Sequence, residues 1–246
     1  YPLLPLEWKV IQYCVRYGFC TFCIDENTMR PLSVFQYVEE ELAGDGTAFS
    51  VPEFDEIFGI IRNLIPQYET DLSDFLANLE EKKTVKRNEG FREIGENYST
   101  TADIQRAEQR LEEKLDEWEF DEKEEFSKAY IAKELSNHEM DSIRKFAVEA
   151  LMERHQLSNI YSREMPAQRE EDRLYRLLPA ALSVWKNGII DMTIKNLFSR
   201  LQEIAGKGNL QEEQDLQLQL ARLLKERSEI AKNIGDRILS PPRGKS

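Results

Sequence analysis

The chain has 246 residues and a formal charge of −13 at neutral pH, since 46 acidic residues outnumber 33 basic ones. Nucleic-acid affinity depends on Lys and Arg that displace counterions from phosphates, so this balance argues against a dominant phosphate-binding surface and favours a protein that binds other proteins. Gly and Pro are sparse, helix-favouring residues dominate, and no apolar run approaches the roughly 20 residues that span a bilayer, which predicts an all-α chain without a membrane segment.

The N-terminal part of the chain predicts a series of short helices. Apolar residues recur at helical spacing from about Pro5 to Tyr17, which predicts the first helix. Ser33 and Ser50 are each followed three residues later by Gln or Glu, the pattern of a capping box that opens a helix. Pro66 is expected to end the helix that begins near Ser50, because proline lacks the amide hydrogen that a helix interior uses.

Residues 80–100 differ from the segments on either side. They are rich in Lys, Arg and Glu, and Gly90 and Gly95 loosen the backbone, so we predict a linker or an insertion with little order. Helical spacing returns downstream at about Ile104. Together, the helices on both sides of the linker predict a compact bundle over residues 1–167.

The last part of the chain, residues 168–240, predicts a long helix and a helical hairpin. Apolar spacing continues from about Gln168 to Ala205, with a kink or a restart expected at Pro179. Gly206–Asn209 is a stop signal, and a second long apolar pattern follows it. Residues 241–246 are expected to form a basic, disordered tail.

Cysteine and histidine positions predict neither a metal nor a cofactor. Cys20-x-x-Cys23 has the spacing of half a zinc site, but the second pair of ligands is missing, so we expect buried or loop cysteines without a metal. His138 and His155 have no recognisable nucleophile or orienting partner and are expected at a surface or an interface. An odd number of cysteines makes no disulfide framework, which favours a reducing cytoplasm.

Two further patterns have ordinary structural explanations. The acidic stretch from Glu112 to Glu125 contains interleaved lysines and alternates with apolar positions, which is typical of a solvated helix face. Gly206-x-Gly208 lies between predicted helices, so we interpret it as a turn rather than as a phosphate-binding loop. We therefore expect no catalytic residue and no enzymatic activity in this chain. A helical enzyme whose site forms only in three dimensions remains an alternative.

The last predicted helix presents more apolar side chains than one neighbouring helix can cover. One face of this helix must close the hairpin, and we expect about half of the apolar residues to do so. The remaining apolar side is then a candidate surface for binding a partner. The candidate partner-binding residues are Leu216, Leu220, Leu223, Leu224, Ile230, Ile234, Arg237, Ile238 and Leu239.

Several segments resemble the C-terminal region of bacterial DnaG-type primases. Leu182–Ile190 and Leu220–Leu239 resemble the end of these proteins. Upstream, Ile131–His138 and the segment from Phe146 to Ile160 resemble the longer version of this region in Bacteroidota-type primases. The order of the segments and the ending carry the resemblance, which extends over nearly the whole chain and is weakest at residues 80–125.

In that family, the region is a helical bundle followed by a hairpin that binds the N-terminal collar of the replicative DnaB-type helicase. The resemblance therefore implies a helicase-interaction domain that docks primase at the replication fork, with the candidate residues of the last helix as the helicase contacts. It also implies that the zinc-binding module and the polymerase core lie upstream, which agrees with a first residue that is Tyr rather than Met. We expect a cytoplasmic fragment without a cofactor and without direct nucleic-acid binding. A generic all-α adaptor of another complex is the alternative.

Overall fold

The computed structural model describes residues 2–25, 28–161, 170–204 and 210–233. The all-α prediction is confirmed, because helices dominate this part of the chain and a single short antiparallel pair of strands accompanies them. No helix among the described residues is long and apolar enough to cross a membrane. In chain order the elements are α1 (Leu4–Tyr17), β1 (Thr21–Ile24), β2 (Pro31–Ser33), α2 (Val34–Asp45), α3 (Pro52–Asn97), α4 (Thr101–Ser136), α5 (Asp141–Tyr161), α6 (Glu170–Ile204) and α7 (Leu210–Asn233).

Helix α1 lies at the centre of the core and contacts α2, α3, α4, α5 and α6. Val10, Ile11, Cys14 and Val15 are fully buried, and the opposite side of the helix is covered as well. A helix that is covered on all sides is an interior element rather than a surface one. The strands and the other helices therefore assemble around α1, and its polar residues need partners inside the protein.

Glu7 is such a polar residue, and it caps a different helix. Its carboxylate accepts hydrogen bonds from the backbone N–H groups of Ser50 and Val51 at 3.0–3.1 Å and from the Ser50 hydroxyl at 2.5 Å. The predicted capping box at Ser50 is therefore wrong, because the N-cap of α3 is Val51 and the cap comes from α1. The predicted capping box of Ser33 with Gln36 is confirmed at the start of α2.

Helix α3 is much longer than the sequence predicts. Pro66 lies inside it, and the helix continues through the predicted linker as far as Asn97, so the predictions of an end at Pro66 and of a linker over 80–97 are wrong. A proline inside a helix costs about 3 kcal/mol. That cost is offset because α3 packs along α4 as an antiparallel hairpin, in which Leu79 is 2% exposed.

Helix α6 belongs to two different packing environments. Its first half contributes Leu174, Leu178, Leu182 and Trp185 to the core around α1. Its second half packs against α7. The predicted boundary at residue 168 therefore does not separate two cores, since the helix that begins the hairpin also completes the bundle. Pro179 lies inside α6 and does not divide it into two helices.

Candidate partner-binding surface

Helices α6 and α7 form an antiparallel hairpin beside the core. Ion pairs join its two helices near both ends: Asp191 with Arg227 at 3.3 Å, and Arg200 with Glu212 at 3.9 Å. Between these ion pairs lies an apolar interface, which we call the hairpin interface. Its buried residues, each between 4% and 7% exposed, are Ile190, Ile194 and Leu197 of α6 and Leu216 of α7.

The predicted partner-binding residues divide between the inside and the outside of this hairpin. Leu216 is buried, and Leu220 and Leu223 follow it on the same helix face and are half-buried. Leu224 is 44% exposed. The prediction that some of these residues close the hairpin is therefore confirmed for Leu216, and Leu224 is available for a partner. Ile230 lies in α7, but its side chain is outside the described residues, as are Ile234, Arg237, Ile238 and Leu239.

The beginning of α6 is fixed on α1 by a buried polar cluster. Glu170 accepts hydrogen bonds from Arg16 at 3.1 Å and from the Tyr17 hydroxyl at 3.0 Å, and Lys9 lies 3.6 Å away. The Arg16 side chain is 2% exposed, and its Nε donates to the carbonyl of Ala150 at 2.7 Å. Charge-assisted hydrogen bonds to a buried group are stronger than neutral ones, so the cluster holds α1, α5 and α6 together.

A second contact fixes α6 at the point where it leaves the core. Lys186 donates hydrogen bonds to the backbone carbonyl and the carboxylate of Glu41 at 3.1 and 2.7 Å, and it also pairs with Asp45. Two residues further along α6, a Cβ on Gly188 would lie 2.9 Å from Leu6 and 3.0 Å from Leu3. The base of the hairpin is therefore held against α1 and α2.

The cysteines are buried, as the sequence predicts. Cys14, Cys20 and Cys23 are free thiols, each 7% exposed or less. Burial raises the pKa of Cys23 to about 11, and it also raises the pKa values of Cys14 and Cys20 above the ordinary thiol value. Within the described ranges, no group of three His, Cys, Asp or Glu side chains is placed to hold a metal ion.

His138 and two carboxylates of the acidic stretch form hydrogen bonds or ion pairs with other parts of the fold. His138 is half-buried in the loop between α4 and α5, where its Nδ1 accepts a hydrogen bond from the Met140 backbone N–H at 3.2 Å. The side chain of His155 is outside the described residues. The acidic stretch is more than a solvated face, because Glu119 pairs with Lys83, and Glu124 accepts hydrogen bonds from Thr21. The solvated-face prediction is therefore wrong for these two carboxylates.

Sequence reasoning missed the α3–α4 hairpin. Phe75 stacks on Phe126 at its base, with ring centroids 4.5 Å apart. Further out, Lys83 is only 6% exposed, and its ammonium group is 2.7 Å from Asp116 and 2.5 Å from Glu119. The signal in the sequence was the spacing of four residues between Phe75, Leu79 and Lys83, which places all three on one helix face. A search for apolar residues alone ends at Leu79, because the next residue in this series is a lysine.

A family model with the description "Domain of unknown function (DUF8430)" matches residues 100–238, which is more than half of the chain. The match begins at the N-cap of α4 and includes α5, α6 and α7. No curated protein matches, and no solved structure matches. The match therefore contains the whole α6–α7 hairpin, whereas α1, α2 and α3 lie outside it.

Proposed function

We propose that this chain, which belongs to the DUF8430 family, is the helicase-interaction region of a bacterial DnaG-type primase. In this proposal it binds the N-terminal collar of a replicative DnaB-type helicase in the cytoplasm and brings primer synthesis to the replication fork. The resemblance of Leu182–Ile190 and Leu220–Leu239 to the end of such primases supports the proposal. The chain itself is not the polymerase, and it acts without a cofactor.

The α6–α7 hairpin is the observation that carries the proposal. Its own leucine and isoleucine residues close it, and the first half of α6 anchors it in the core. None of the described side chains of α7 belongs to the core cluster around α1, and Leu224 on its surface is 44% exposed. A helical hairpin that is rigidly mounted and closed on itself loses little conformational entropy when it docks, which favours binding.

The charge of the chain supports a protein partner over a nucleic acid. Its −13 charge disfavours contact with phosphates, and several of its basic side chains are paired with carboxylates inside the fold. Lys83 and Arg87 of α3 pair with acidic residues of α4. Lys186 of α6 pairs with Glu41 and Asp45. The fragment is therefore expected to leave DNA contacts to other parts of the replication complex.

The experiment is a binding measurement with purified DnaB-type helicase from the same organism. The full 246-residue chain is expected to co-elute with the helicase hexamer on a sizing column, and a chain ended after Gly206 is expected to elute separately. Circular dichroism of the shortened chain checks that the core remains folded, since its buried residues lie before that point. Failure of the full chain to bind the helicase would contradict the proposal. Equal binding to an unrelated hexamer would favour a generic adaptor.

A further inference from the structure

The first half of α4 carries a row of charged side chains on the face that points away from α3. Leu111 and Leu115 face α3, since a Cβ on Gly90 would touch Leu111 and Leu115 is 5% exposed. On the opposite face, four exposed charged residues recur at spacings of four, three and four residues, which places them within about 60° of one another around the helix. These residues, which we call the α4 stripe, are Arg106, Arg110, Glu113 and Glu117.

The order of the charges in the α4 stripe does little to stabilise the helix itself. The two arginines are four residues apart, and so are the two glutamates, and like charges at this spacing repel each other within a helix. Arginine also precedes glutamate along the chain, which is the less favourable order for ion pairs within one helix. Arg106 lies 3.9 Å from Asp103, and Glu113 accepts a hydrogen bond from Gln109 at 3.0 Å. The other two residues of the stripe have no ion-pair partner in the described part of the chain.

The α4 stripe is complementary to a second copy of itself. Its two outer residues and its two inner residues have the same midpoint along the helix, because the spacings on either side of the central one are equal. A two-fold axis through this point, perpendicular to the helix, therefore places each arginine opposite a glutamate of the other copy. Such a contact uses the same surface on both copies and closes after two of them. A parallel pairing in register would instead place like charges opposite each other.

We propose that the α4 stripe is a self-association surface, and that it is occupied by the α4 stripe of a second copy of this chain in antiparallel orientation. Arg106 of each copy pairs with Glu117 of the other, and Arg110 pairs with Glu113, over a length of about 16 Å. Glu124, where α4 meets β1, lies seven residues beyond the stripe, so the core does not cover it. Ion pairs between exposed side chains contribute little each, so the dimer is weak and sensitive to salt.

Sedimentation velocity of the full chain over a range of concentrations tests the proposal. In low salt the natural chain is expected to dimerise with a dissociation constant on the order of 0.1 mM. In 1 M NaCl, where the Debye length is about 3 Å, the dimer is expected to be lost. Arg106→Glu with Arg110→Glu makes the stripe all acidic, and Glu113→Arg with Glu117→Arg makes it all basic. Each double variant is expected to weaken dimerisation by about tenfold or more, since like charges then face each other.

A mixture of the all-acidic and all-basic variants is expected to restore the dimer, because each arginine again faces a glutamate. The matched control is Lys82→Glu with Arg92→Glu, which makes the same change in net charge as the all-acidic variant at exposed positions of α3. It is expected to change the dissociation constant by less than about twofold, because these charges lie away from the contact. Circular dichroism checks the helix content of every variant. Arg106→Gln with Arg110→Gln adds no repulsion within the helix, and it is also expected to weaken dimerisation.

Three results would overturn the proposal. The natural chain could remain monomeric in low salt at concentrations several times the expected dissociation constant. The two complementary variants could fail to associate when they are mixed, although both are folded. Dimerisation could also persist in each double variant as in the natural chain, which would place the contact on another surface. Helicase binding is a separate measurement on a different hairpin, so none of these results bears on the proposed function.

Discussion

The two long hairpins of this protein are closed by different chemistry. Between α6 and α7 the buried side chains are aliphatic, and the ion pairs lie at the ends and are about half exposed. Between α3 and α4 the end nearest the core is closed by the stacked rings of Phe75 and Phe126. Further out, the interface contains Lys83, a buried cation with Asp116 and Glu119 as partners. An apolar interface adds more stability per residue, whereas a buried ion pair adds little but tolerates few alternative alignments.

The two interfaces have different roles: one fixes the alignment of its helices, and the other mainly stabilises them. In α3–α4, a shift of one helix along the other would bury the Lys83 ammonium without its carboxylates, so this residue selects one register. Arg87, which pairs with Glu112 at 2.7 Å, and Lys86, whose ammonium lies 3.7 Å from the Trp118 ring centre, extend the same register outwards. In α6–α7, the aliphatic interface stabilises the hairpin, and the ion pairs at its ends set the register of the two helices.

The largest expected effect comes from reversing the buried charge. Lys83→Glu places a third carboxylate beside Asp116 and Glu119 and is expected to lower the free energy of unfolding by about 3 kcal/mol. Lys82→Glu makes the same change in net charge at an exposed neighbouring position and is expected to cost less than about 0.5 kcal/mol. Urea denaturation followed by circular dichroism measures both. Equal costs for the two variants would mean that the Lys83 ion pairs do not organise the hairpin.

The aliphatic hairpin is tested by removing one leucine. Leu216→Ala is expected to cost about 2–3 kcal/mol, because it deletes most of a side chain that is 4% exposed. The loss should be local, since Leu216 lies outside the core cluster around α1. Hydrogen exchange followed by mass spectrometry is expected to show faster exchange in α7 and unchanged protection in α1. Faster exchange throughout the chain would mean that the hairpin and the core unfold together.

Two glycines of α3 provide a matched pair with a smaller effect. A Cβ on Gly90 would lie 2.5 Å from a methyl carbon of Leu111 in α4, whereas a Cβ on Gly95 would meet nothing within 4 Å. Gly95→Ala is therefore expected to stabilise the protein by about 0.5–1 kcal/mol through helix propensity alone. Gly90→Ala is expected to lose this gain or to become destabilising, since Leu111 must move. Similar gains in melting temperature for both variants would show that α3 and α4 are not in close contact there.

The sequence predicted one hairpin and missed the other for a physical reason. Apolar spacing and a Gly-rich break are sufficient for α6–α7, where the interface is aliphatic. In α3–α4 the inward position after Leu79 is Lys83, so the apolar pattern stops where the interface continues. Local sequence patterns also could not predict that Glu7 caps α3, because Glu7 and Ser50 are more than 40 residues apart in the chain.

The candidate site was only partly predictable for a related reason. The apolar stripe of α7 is visible in the sequence, but its inside and outside depend on where α6 lies. Leu223 and Leu224 are adjacent in sequence and differ by about 100° in direction, so one is half-buried and the other is 44% exposed. Phe198 of α6 is exposed for the same reason, although its neighbour Leu197 is buried.

The smallest expected effect is a response of the α3–α4 hairpin to alkaline pH. Hydrogen bonds to Asp116 and Glu119 raise the pKa of Lys83 above its ordinary value of 10.5. A group with a raised pKa in the folded state contributes stability below its unfolded pKa and loses that contribution as the pH rises through the folded value. Methyl NMR signals of Leu79 and Leu115 are therefore expected to shift above a pH of about 10.5, whereas those of Leu216 stay in place. The variant Lys83→Met is the control, because it keeps the aliphatic stem without the titrating ammonium. If its Leu79 and Leu115 signals move with pH as in the natural chain, the response comes from another group and Lys83 is not the residue that holds this hairpin in register.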